Sequence, residues 1–110
     1  MEAAKVPVDA KTYQTFATLF LIGRGRKGPL AWDDFVKAMT KVGFAYGPRK
    51  TGAGMEFVPV TVDVEGTFVW HKPHGQRKGR ASLDRKGKRL IVAALNEMYQ
   101  WDRDTFVLQH

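Results

Sequence analysis

The chain has no cysteine among its 110 residues. A disulfide framework, a thiolate zinc site and a cysteine nucleophile are therefore excluded together. That composition suits a reducing compartment. Long apolar runs are missing too, and no stretch of about 18 apolar residues offers a membrane span. The opening MEAAKVPVDAK carries an acid and polar side chains where a secretory signal needs an apolar core. An intracellular location, cytoplasmic or nuclear, is the expectation. No nucleotide-binding loop is present, because GRGRKG at residues 23–28 has neither a preceding strand nor the Gly-Lys-Ser/Thr ending. No serine sits in a nucleophile elbow. Asp33 and Asp34 are neighbours in sequence and diverge on a helix, so they make no catalytic pair. No cofactor is expected.

Acids are also in short supply: 11 Asp plus Glu stand against 18 Lys plus Arg, for a net charge of +7. Such a field attracts polyanions by steering and counterion release. The apolar share of 44% and aromatic share of 12% are enough to fill one core. The length fits a single domain, residues 1–110, built as one pair of packed layers without a deep substrate pocket.

Along the chain, Tyr13, Phe16, Ala17 and Phe20 recur at helical spacing and predict a helix over 8–22, with Asp9 as its N-cap. Glycines and a proline over 23–29 break it into a basic loop. Residues 30–42 form the clearest helix. Trp32, Phe35, Val36, Met39 and Val42 line one side, Asp33 and Asp34 occupy the first turn and Lys41 the last, as the helix dipole favours. Gly43 is the expected C-cap, with Phe44 packing back on the helix. Strands follow over 44–46, 55–64 and 67–71, the last two pairing as a hairpin, with Pro59 marking an edge or bulge. Residues 72–89 carry eight Lys or Arg. Ser82 is the expected N-cap of a final helix whose Leu83, Leu90, Ile91, Ala94, Leu95 and Met98 face the sheet. Trp101 and Phe106 then seal the core. The expected fold is α+β: a three-stranded antiparallel sheet with helices on one face, in the order α-β-β-β-α over 30–107, preceded by an extra N-terminal helix.

The strongest chemical signal is the cationic run at the start of that last helix. Free backbone N–H groups and the dipole at a helix N-terminus already favour a phosphate. Arg85, Lys86, Lys88 and Arg89 add charge where dipole logic prefers acids. Arg77, Lys78 and Arg80 extend it from the preceding loop. This pattern points to a module that binds RNA, duplex or structured, through its phosphate backbone. His71 and His74 flank Lys72-Pro73. They are too few for a zinc site. They supply the minimum for metal-independent RNA cleavage, in which the substrate's 2′-hydroxyl attacks and a base of near-neutral pKa assists. A ribonuclease using His71 or His74 is therefore the rival reading, and an adaptor for an acidic protein is a third.

The segments KAMTKVGF, GAGMEF, FVWHKPH, GKRL and WDRDTF together resemble a domain found in fungal proteins of unknown function, over roughly residues 30–107. More distantly the chain is similar to HicA toxins, small ribonucleases with a fold like the double-stranded RNA-binding domain. The resemblance implies the same α-β-β-β-α order. Met55 stands where those toxins carry their catalytic histidine, and His74 falls near a second, proline-associated histidine of theirs. RKGKR at 85–89 followed by Ala93-Ala94-Leu95 looks like the basic helix start with which double-stranded RNA-binding domains hold phosphates. The resemblance thus implies recognition of A-form shape with little sequence preference.

Overall fold

A computed structural model describes residues 5–21, 28–73 and 81–109. Its elements in chain order are β1 (Val6–Val8), α1 (Ala10–Phe20), β2 (Leu30–Ala31), α2 (Trp32–Val42), β3 (Phe44–Pro48), β4 (Met55–Pro59), β5 (Phe68–Trp70), β6 (Ser82–Leu83), α3 (Arg85–Tyr99) and β7 (Phe106–Leu108). The Asp9 carboxylate accepts the Thr12 N–H at 2.8 Å and starts α1 where the sequence places it. The helix is shorter than predicted, because Val8 belongs to β1 and the turn closes at Leu21 with φ 57°. In α2, Asp33 and Asp34 lie in the first turn and Lys41 in the last. Gly43 ends it with φ +131°. A Cβ there would meet Thr61 Oγ1 and lie 2.6 Å from the Val62 nitrogen, so only glycine fits.

Strands β3, β4 and β5 form an antiparallel sheet in that order. The register sets Phe44 opposite Pro59, Tyr46 opposite Phe57, Phe57 opposite Phe68 and Met55 opposite Trp70. Period-two alternation therefore gathers Phe44, Tyr46, Phe57, Phe68 and Trp70 on one face. Phe35 of α2 meets Phe57 and Phe68 edge-on, at centroid distances of 5.5 and 6.5 Å. Tyr99 at the end of α3 reaches Phe44 at 5.7 Å. Helices α2 and α3 thus cover the same face of the sheet, in the order α2-β3-β4-β5-α3. The opposite face carries Ala45, Glu56, Val58 and Val69, none of them fully buried.

Strand β4 stops at Pro59 instead of running on to Val64. Proline offers no ladder donor, and the next two amides, Val60 and Thr61, donate to the Gly43 carbonyl at 2.8 and 3.1 Å. The chain curls onto the α2–β3 turn. Two small pairings lie outside what the periodicity shows: β1 with β7, parallel, and β2 with β6, antiparallel. The first brings Phe106 onto Phe16 at 3.8 Å, almost face to face. The second ties the start of α2 to the start of α3. Among the described residues no helix is long and apolar enough to cross a membrane.

These links decide which side chains share an end of the molecule. The Trp32 indole N–H donates to Tyr46 Oη at 2.9 Å, and the Trp32 amide to the Ala81 carbonyl at 2.9 Å. The start of α2, the start of α3 and the β3–β4 turn beyond Tyr46 therefore lie at one end of the sheet. Phe44, Tyr99 and Trp101 lie at the other.

Candidate nucleic-acid interface

Helix α3 opens with Arg-Lys-Gly-Lys-Arg and has no acid within its first turn. At 3.6 residues per turn, Arg85 and Arg89 share a side, with Lys86 about 100° round from Arg85. All three are exposed. Lys88 is not with them. It continues the stripe of Ile91 and Leu95, three and seven residues on, and is only 1% exposed. Its Nζ donates to the Gly28 carbonyl at 2.8 Å. Burial lowers its pKa below the ordinary lysine value, and the charge on Arg85 adds to that. The expectation that Lys88 holds phosphate is thereby corrected. Its ammonium fastens residue 28 to α3, and its length spans from the helix to that carbonyl.

The helix start is capped differently from the sequence expectation as well. Ser82 lies in β6, opposite Ala31, and the N-cap is Asp84, whose Oδ1 accepts the Gly87 N–H at 2.7 Å. A carboxylate already sits where a phosphate was expected to dock on the helix end. The cations, not the helix terminus, form the anion-attracting feature. Asp84 in turn is engaged by the backbone.

The sheet adds further cations at its own turn. Pro48, Met55 and Trp70 are neighbours across β3, β4 and β5. Exposed Arg49 and Lys50, which leave β3, therefore emerge beside exposed His71 and Lys72, which leave β5. This turn lies at the same end as the start of α3. Six cations, Arg49, Lys50, Lys72, Arg85, Lys86 and Arg89, thus collect there among the described residues. Asp33 and Asp34 stand at the same end, in the first turn of α2. The sequence signal for the sheet group lay in strand pairing, which joins positions some 20 apart.

Of the histidines, His71 is exposed, directly after β5. The register partner of the residue before it is Met55. His74, Arg77, Lys78 and Arg80 lie outside the described residues. Among the described residues no group of three or more His, Asp or Glu side chains is placed to hold a metal ion. Compared with known proteins, the chain matches no family model, no curated sequence and no solved structure.

Proposed function

We propose that this chain binds nucleic acid, RNA in preference to DNA, through the phosphate backbone, using the end of the molecule where α3 begins. The observation that carries the reading is the exposed triplet Arg85, Lys86 and Arg89 on one side of α3, where the neighbouring acid Asp84 is engaged on the Gly87 amide. Side chains of this kind grip phosphates and position a duplex without reading bases. The preference for RNA rests on the α-β-β-β-α order, which the double-stranded RNA-binding fold shares. Arg49, Lys50 and Lys72 extend the contact.

The test is binding to duplex RNA, single-stranded RNA and duplex DNA at two salt concentrations, for the parent and for the Arg85→Ala/Lys86→Ala/Arg89→Ala variant. Tight, salt-sensitive binding by the parent and its loss in the variant are the expected results. Unchanged binding by the variant refutes the site.

One observation favours a ribonuclease as the second reading. The resemblance matches Met55 to the toxins' catalytic histidine, and exposed His71 comes directly after Trp70, the register partner of Met55 on the adjoining strand. Cleavage of labelled RNA by the parent and not by His71→Ala would establish it.

A further inference from the structure

A groove of about 420 Å³ runs between the end of α1 and the outer side of α3. Leu21, Val92 and Ala93 give it an aliphatic wall, and the loop after α3 closes it at Trp101. Leu21 is an unusual residue for its backbone conformation. It sits in the left-handed region, φ 57°, at the C-cap of α1. Glycine or asparagine is favoured there. Its side chain is nevertheless 43% exposed. An apolar side chain held out at a left-handed cap thus forms one side of the groove.

The charges on the groove are unequal in availability. Its rim carries Arg89, Arg103 and Asp102. The Asp102 carboxylate is engaged within its own turn, where Oδ1 accepts the Asp104 N–H at 2.8 Å and lies 3.4 Å from Thr105 Oγ1. Arg89 and Arg103, both exposed, outnumber the exposed Asp102, so the rim an occupant would meet is net positive. The floor favours side chains over bases: Phe20 and Trp101 are 6% and 2% exposed, so neither offers an open ring face for stacking.

The geometry points to a docking groove for an acidic amphipathic segment of a partner protein. Its apolar side chains would lie along Leu21, Val92 and Ala93, and its carboxylates would meet Arg89 and Arg103. The groove shares Arg89 with the proposed RNA contacts, whereas Arg103 and Leu21 lie outside them, so variants at those two positions test docking apart from RNA binding.

The probe is a fluorescein-labelled helical peptide with leucines along one side and glutamates elsewhere, measured by anisotropy beside a lysine-for-glutamate counterpart. The acidic peptide should bind at least about tenfold more tightly than the basic one. Ala93→Trp, at an exposed helical position, fills the groove and should abolish binding while the fold is retained by circular dichroism. Arg103→Glu should weaken the acidic peptide about tenfold and strengthen the basic one. Leu21→Asn suits the left-handed cap, so lost binding with a raised melting temperature separates docking from stability. Equal affinity for the two peptides, or full affinity in Ala93→Trp, overturns the proposal. So does loss of duplex RNA binding in Ala93→Trp without any peptide binding by the parent, which would assign the groove to nucleic acid.

Discussion

The number of cations that touch phosphate is measurable, and the structure sets different values for residues that look alike in sequence. Each phosphate neutralised releases counterions, so log K falls with log salt by about 0.7 to 0.9 per contact. Arg85, Lys86 and Arg89 are exposed, spread over about 6 Å of helix rise. Three contacts then account for a slope of about 2 to 3. Over a fourfold rise in salt this amounts to a roughly 30-fold loss of affinity that the triple alanine variant should no longer show. Lys88 lies within the same five residues but is 1% exposed and bound to the Gly28 carbonyl. Lys88→Met keeps the chain length in the core and should leave the slope unchanged. The assay is fluorescence anisotropy of a labelled duplex RNA titrated at several sodium chloride concentrations, on proteins first shown to be folded. A slope reduced in Lys88→Met as far as in the triple variant would refute the reasoning, because a buried side chain would then be reaching phosphate. An unchanged slope in the triple variant would refute it from the other side.

Further expectations follow from the core. Tyr99, whose hydroxyl donates to the Gly66 carbonyl at 2.7 Å, has its pKa pushed up to about 12 by burial. Its phenol stays protonated in the folded state where the unfolded chain ionises, so stability should fall as pH rises from about 10 to about 12. Lys88 acts in the opposite sense. Its lowered pKa means that the unfolded chain binds more protons below 10.5, so stability should rise on approaching that pH. Denaturant midpoints across alkaline pH should lose the rise in Lys88→Met and the fall in Tyr99→Phe. Gly43→Ala, which drives a methyl group against Thr61 and Val62 in a positive-φ turn, should cost about 3 kcal/mol or more by urea unfolding. Tyr46→Phe leaves the buried Trp32 indole N–H without its 2.9 Å acceptor and should cost about 1 to 2 kcal/mol in the same measurement. An unaltered midpoint in Tyr46→Phe would mean that water takes over that bond.

How far the sequence speaks depends on how local the cause is. Helix α2 was legible because its apolar spacing, first-turn acids, last-turn lysine and terminal glycine all lie within a dozen neighbouring positions. The alternating Phe57, Val58 and Pro59 announced a strand. What ended it was a hydrogen bond from Val60 and Thr61 back to Gly43, a contact that alternation does not encode. Strands β1 and β7 pair across the whole chain and hold three residues each, too short for any periodic signal. Lys88 is the instructive case. Its spacing to Ile91 and Leu95 placed it on the core stripe, but its charge suggested a surface role, and the stripe prevailed because Gly28 supplied an acceptor. Arg49 and Lys50 sit in the glycine-rich segment GPRKTGAG, whose composition alone marks a loop. Their approach to His71 and Lys72 is a matter of strand register, which no single segment reveals.

Tension applied between residues 5 and 109 would pull β1 backwards and β7 forwards along the same line, because the two strands run parallel. The Val6 N–H bond to the Thr105 carbonyl and the Gln109 N–H bond to the Val8 carbonyl, both 2.8 Å, would then bear the load together instead of peeling apart in turn. Phe106, stacked on Phe16, anchors the sheared strand to α1. The two short strands thus act as a mechanical latch, and the force needed to rupture it reports the unfolding rate of everything behind it.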